Sequence, residues 1–245
     1  MKINKKHLHI VVWLLCFIVT FTNCKKETKK EKMPNETGTV TDIEGRSYNT
    51  VKIGNQWWMA ENLAVKLYND STPIFEVQIT DNDTIWANQT TGAFCKVEAN
   101  NMRYGLYYNW FAVNNIKNIA PAGWHIPSDD EWKRLEIELG MSQTDADKTA
   151  WRGSKERDKL IEKKSYAWSE SVDVPVGNNE SGFTGITSGC RLFNGAIGEG
   201  KSAYWWTSSL NGNEAWYRSI TFNHTNIFRY HTYKAYGFSV RCVKN

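Results

Sequence analysis

A run of twelve apolar residues, Ile10 to Phe21, lies between a basic start and a cysteine, and it limits how much of the chain can enter a fold. A helix needs roughly 20 apolar residues to cross the hydrocarbon core of a bilayer. The run is too short to stay as a membrane span. Lys2, Lys5 and Lys6 ahead of it supply the positive n-region of an export signal, and the run itself is the h-region. The foldable part must therefore come after this leader.

Phe21-Thr22-Asn23-Cys24 resembles the lipobox of bacterial lipoproteins, although Phe21 and Asn23 are bulkier than usual there. The resemblance implies cleavage before Cys24 and acylation of that cysteine by a palmitate-type fatty chain. Lys25 to Lys32 is almost entirely charged, and Pro34 follows. Such a stretch cannot bury a core and reads as a solvated tether. The expected organisation is a signal peptide over 1–23, a tether over 24–37 and one folded domain over 38–245. The expected location is the cell envelope, anchored to the outer membrane on its periplasmic or surface face. Lys25-Lys26 tilts this towards the periplasmic side.

The formal net charge of +4 raises the question of nucleic acid. Residues 1–36 hold 8 of the 30 Lys and Arg and 3 of the 26 Asp and Glu, leaving 22 basic against 23 acidic residues in the remainder. The basicity belongs to leader and tether, so no nucleic-acid partner is expected. The bilayer, reached through the acylated N-terminus, is the expected partner.

Beyond Cys24 the chain keeps Cys95, Cys190 and Cys242. In an oxidising compartment three cysteines allow one disulfide and a spare thiol, or no disulfide. None is spaced as a metal ligand, and His125, His224 and His231 are scattered, so neither a metal nor another cofactor is expected.

Thr39–Thr41, Tyr48–Ile53 and Gln56–Met59 alternate apolar and polar residues around turns at Asp42–Arg46 and Gly54-Asn55, which predicts an antiparallel meander. Ser128 with Glu131 forms a capping-box pattern, Trp132, Leu135 and Leu139 share a face, and Gly140 provides the stop. The acidic cluster Asp129-Asp130-Glu131 is accounted for by the helix dipole. Asp145–Lys164 reads as a second helical region broken near Gly153. Pro175–Gly182 reads as a loop.

Strands are expected at Phe183–Ile186, Gly189–Phe193, Tyr204–Ser208, Ala215–Phe222, Ile227–Tyr233 and Phe238–Val243. Helices grouped centrally between strands predict an α+β fold.

Six blocks then occur in order. Val40-Thr41-Asp42-Ile43-Glu44-Gly45 leads into Val51 to Leu63. Tyr104-Gly105-Leu106-Tyr107-Tyr108-Asn109-Trp110 and Gly123-Trp124-His125-Ile126-Pro127-Ser128 follow. Trp151-Arg152-Gly153, Tyr204-Trp205-Trp206-Thr207-Ser208 and Gly237-Phe238-Ser239-Val240-Arg241-Cys242 complete the series. Together they resemble the Fibrobacter succinogenes major paralogous domain over residues 38 to 244.

The third and last blocks are also distantly similar to the formylglycine-generating and C-type-lectin-like scaffold. That similarity implies small antiparallel sheets, two or so flanking helices and long loops. The family pattern implies a disulfide between Cys95 and Cys242 with Cys190 as a buried thiol; Cys190–Cys242 is the rival pairing. The close cysteine pair that holds copper in the oxidases is missing in sequence, as are the Glu-Pro-Asn and Trp-Asn-Asp strings of calcium-dependent lectins.

The resemblance implies an exported or lipid-anchored setting and no particular activity. A non-catalytic binding or adhesion role is the expectation, with carbohydrate or an envelope protein as partner. Indole and phenol faces stack on sugar rings, so Trp205, Trp206, Trp216, Tyr217 and Tyr230 are the candidate binding residues. The competing account is that they fill the core, as large aromatics commonly do. The alternatives are an oxidase-like enzyme and a structural subunit of an envelope assembly.

Overall fold

One carboxylate stitches the first turn. Asp42 Oδ1 accepts from the backbone N–H groups of Glu44 and Arg46 at 2.9 and 3.0 Å, and Oδ2 accepts from the Tyr48 hydroxyl at 2.6 Å. The buried Tyr48 hydroxyl accepts in turn from the Ala64 N–H, which ties the meander to the chain that leaves it. This computed structural model describes residues 35–78, 83–96, 104–163, 177–197 and 201–245. The leader, Cys24 and most of the tether lie outside them.

In chain order the first elements are β1 (Thr37–Thr41), β2 (Ser47–Ile53), β3 (Gln56–Met59), β4 (Phe75–Glu76), α1 (Asp83–Ala87), β5 (Ala93–Lys96) and β6 (Leu106–Asn109). Next come α2 (Trp110–Val113), β7 (Trp124–His125), α3 (Asp129–Glu138), α4 (Gln143–Asp147), β8 (Ala150–Arg152) and α5 (Glu156–Leu160). The last part is all strand: β9 (Cys190–Leu192), β10 (Gly195–Ile197), β11 (Ser202–Asn211), β12 (Glu214–Thr221), β13 (Ile227–Thr232), β14 (Gly237–Phe238) and β15 (Val243–Lys244).

The strands form three sheets, ordered β1-β2-β3-β15-β7, β10-β9-β14-β6-β5-β4 and β11-β12-β13-β8. The first three strands and the last share the first sheet, where Val243 stands opposite both Trp58 and His125.

The α+β, C-type-lectin-like expectation is corrected here to a β-rich fold of three sheets. Of the five described helices only α3, at ten residues, exceeds a turn or so. The physical reason lies in where the backbone hydrogen bonds go. The single broken helical region expected over 145–164 is interrupted by β8, which pairs with β13; Lys164 itself lies outside the described residues. Residues 183–186 form no strand, and 238–243 splits into β14 and β15. Strands β4 to β7 have two to four residues, too few for an alternation pattern to show.

Two large apolar clusters and a smaller one lie between the layers. One joins Tyr48, Leu63, Tyr108, Trp110, Trp206 and Phe238; another joins Trp58, Trp132, Leu135, Phe183 and Trp205 beneath α3. Helix α3 forms as its sequence dictates. The Ser128 side chain accepts from the Glu131 N–H, Glu131 returns a bond from the Ser128 N–H, and Trp132, Leu135 and Leu139 are buried.

Candidate functional site

The third sheet has two unlike faces, and its register decides which residues each receives. Trp205, Arg218, Arg229 and Ala150 stand opposite one another across the strands, as do Tyr204, Ser219, Phe228 and Trp151. Residues opposite in an antiparallel sheet point the same way, and neighbours along a strand point oppositely.

The inner face carries Trp205, Arg218, Ile220, Arg229 and Arg152 against α3. Arg218 Nη1 donates to Asp129 Oδ1 and Arg218 Nε to Glu136 Oε1, both at 2.7 Å. Arg229 Nη2 reaches Asp129 Oδ2 at 2.7 Å, and Arg152 clasps Glu136 with two bonds of 2.7 and 2.8 Å. Burial alone would raise the Asp129 carboxyl. The hydrogen bonds and charges of Arg229 and Arg218 outweigh it and hold the carboxyl well below the usual carboxylate range. Asp129 is thus more than a dipole-matched first-turn acid: it anchors two arginines, a role that only the fold reveals.

The outer face is aromatic and uncharged: Tyr204, Trp206, Tyr217, Phe228, Tyr230 and Trp151, with Ser219, Thr221 and Thr232 between them. Ring centroids lie 6.2 Å apart for Tyr204–Tyr217, 6.1 Å for Tyr217–Phe228 and 4.9 Å for Phe228–Trp151. The rings continue past the sheet through Phe238 to Tyr236, Phe193 and Tyr233. Four of them are substantially exposed: Trp151 at 36%, Phe193 at 36%, Tyr230 at 42% and Tyr233 at 58%. His224 stacks on Trp151 at 3.9 Å with nearly parallel planes.

Burial raises the Tyr204, Tyr217 and Tyr236 hydroxyls above their ordinary range, so they stay protonated and able to donate.

The five rings singled out from sequence divide accordingly. Trp205 and Trp206 are completely buried, so their assignment as binding residues is corrected: they are core. Trp205 Nε1 donates to Asn62, and Trp206 Nε1 to the Tyr108 carbonyl. Trp216 faces the other way, with the Arg229 guanidinium 3.8 Å from its ring centroid. Tyr217 is half-buried on the aromatic face, and Tyr230 is exposed on it. Trp151, Phe193, Phe228, Tyr233 and Tyr236 were not singled out, and only the fold brings them to this surface.

The expected Cys95–Cys242 bridge does not form in this structure: Cys95, Cys190 and Cys242 are buried free thiols. Alternation in β5 explains the separation. Phe94 joins the cluster that holds Cys242, whereas Cys95 points to the opposite side among Val77, Trp86 and Tyr107. Burial pushes the Cys95 and Cys190 thiols up to about 12 and raises Cys242 as well. Cys190 lies close to the Tyr204, Tyr217 and Tyr236 rings.

Among the described residues no group of three or more His, Cys, Asp or Glu side chains is placed to hold a metal. A cleft of about 340 Å³ opens between Thr90-Thr91-Gly92 and Trp110 to Ile116, and another of about 260 Å³ between α3 and α4. Neither is lined by a ring of the aromatic face. No helix among the described residues is long and apolar enough to cross a membrane.

The described residues form a β-rich domain of three sheets with exposed rings on and beside the third. More particularly, the chain belongs to the Fibrobacter succinogenes major domain family, whose model matches residues 51–244. No curated protein and no solved structure matches the chain.

Proposed function

We propose that this protein is an exported envelope lipoprotein, held to the outer membrane by acylated Cys24, whose domain binds carbohydrate without catalysis through the outer face of the β11-β12-β13-β8 sheet. One observation carries the reading: a contiguous ring surface with four exposed members and no charged side chain among the face residues of its strands. Rings give flat apolar area for the C–H face of a sugar, and phenol and threonine hydroxyls bond its hydroxyls.

The leader and lipobox pattern supports the anchor and the envelope location. The nearly neutral charge of residues 37–245 fits a neutral ligand better than nucleic acid or an anionic polymer.

A glycan array probed with the full-length protein tests the reading, with Tyr230→Ala as control. Retention on neutral glycans, weakened by Tyr230→Ala, is the expected result. Retention unchanged by that substitution, or none at all, would refute it. Mass spectrometry of the mature N-terminus checks the anchor, and an unprocessed Met1 or a Cys24 without acyl mass would end that part.

A further inference from the structure

The exposed rings are not gathered at one spot. In the order of ring contacts Trp151 stands at one end, with Tyr230 branching from Phe228 beside it, and Phe193 and Tyr233 stand at the other. Between them run Phe228, Tyr217 and Tyr236, half-buried, with Phe238 beneath. Along the series from Trp151 through Phe228, Tyr217, Phe238 and Tyr236 to Phe193, successive centroids are 4.7 to 6.2 Å apart. The ring packing is therefore continuous and several rings long, passing beneath the surface at Phe238, which is 2% exposed. One sugar ring covers about one phenol face, so a monosaccharide could use either end but not both.

The surface is open, and the two described clefts lie elsewhere.

Charge narrows the ligand further. The face residues of the strands are Tyr, Trp, Phe, Ser and Thr together with Ala215 and Leu210, none of them charged. Of the ionisable groups described beside them, Glu214 pairs with His231, His224 stacks on Trp151, and Lys234 lies over Trp110, 5.1 Å from its ring centroid.

We infer that the face takes the interior of a linear, neutral polysaccharide chain, laid from the Trp151–Tyr230 end to the Phe193–Tyr233 end. This rests on the carbohydrate reading and adds the ligand's length, direction and charge.

Titration calorimetry tests it, using the full-length protein in a non-glycosidic detergent. The probes are linear β-1,4-linked gluco- and xylo-oligosaccharides from monomer to hexamer and a hexameric oligogalacturonate. Affinity should rise about tenfold or more from dimer to neutral hexamer, equivalent to ~1.4 kcal/mol. The uronate should bind more weakly than either neutral hexamer. Trp151→Ala and Tyr233→Ala, at opposite ends, should each lower hexamer affinity about fivefold, with Trp151→Phe and Tyr233→Phe close to wild type.

Equal affinity for monomer and hexamer would overturn the extended-chain inference while leaving carbohydrate binding intact. Tighter uronate binding would overturn the charge argument. Failure of every neutral probe would take down both readings. The length series on the unaltered protein decides the matter even if an alanine variant does not fold.

Discussion

Asn62 and Arg241, 179 residues apart, are joined by a 2.9 Å hydrogen bond from Arg241 Nε to Asn62 Oδ1 in the fully buried interior. The same oxygen accepts from Trp205 Nε1 at 3.0 Å, and Asn62 Nδ2 donates to the Tyr104 carbonyl and Ser239 Oγ. Arg241 also bonds the carbonyls of Met59, Phe183 and Thr184. Four of the sequence blocks that mark the family meet at this one amide. They build the interior framework, and most of the exposed rings, Trp151 excepted, lie outside them.

Arg241→Lys should destabilise the domain by ~2–3 kcal/mol. An ammonium cannot reach all the acceptors of a guanidinium, and each buried carbonyl left unpaired costs about 1–3 kcal/mol. A lowered urea midpoint with unchanged slope is the expected observation; an unchanged midpoint would show that the framework relaxes freely.

Gly105 sits against the same amide at φ +74°, where a Cβ would lie 2.6 Å from Asn62 Cβ and 2.7 Å from the Leu63 carbonyl oxygen. Both left-handed strain and backbone collision oppose any side chain there. Gly105→Ala should lower stability by at least ~1–3 kcal/mol, read as a drop in thermal midpoint.

Asp129→Asn should cost ~3–5 kcal/mol, because it leaves Arg218 and Arg229 buried without their shared counter-charge. The sign with pH follows from the lowered Asp129 carboxyl. Its contribution is fully present above the unfolded carboxyl range near ~4 and drains away as pH falls towards the depressed folded value. Wild type should therefore lose stability below about pH 4, and Asp129→Asn should lose less over that interval. Parallel curves for the two proteins would refute the assignment.

The thiols should be silent in the native state. With Cys95 and Cys190 pushed up to about 12 and all three cysteines buried, alkylation at pH 8 should be slow until denaturant is added. Unfolding without reductant should then release Cys95, Cys190 and Cys242 as three reactive thiols. One thiol instead of three would establish a disulfide.

The tryptophans and tyrosines of the third sheet should separate by role. Trp206→Ala should cost ~3–5 kcal/mol, since that ring is fully buried. Tyr230→Ala should change stability by less than ~1 kcal/mol, as exposed substitutions usually do. A Tyr230→Ala variant as unstable as Trp206→Ala would place that ring in the core.

Several elements were legible in the sequence because their signals are local. The Ser128–Glu131 capping box places the start of α3, and Trp132, Leu135 and Leu139 are buried as their spacing predicts. The meander from Thr37 to Met59 and the β11-to-β13 run follow from alternation and turn residues. Trp216, Arg218 and Ile220 do share a face, opposite Tyr217 and Ser219. The choice of α+β failed where pairing is remote: β8 finds β13, and β14 lies between β6 and β9.

The rings show the same division. Adjacent tryptophans such as Trp205 and Trp206 look like a platform in sequence, yet one lies beneath α3 and the other in the core beside Phe238. Trp151, Phe193 and Tyr233 look unremarkable because they belong to three distant segments. The sequence alone determined what depends on a few neighbouring residues: a short apolar run, a charged stretch after it, a capped helix, a three-strand start and the family. Tertiary structure decided which rings reach solvent, that Asp129 holds two arginines, and that the cysteines stay apart. Burial and facing arise from long-range strand register, and register is set by contacts between segments that carry no local trace of one another.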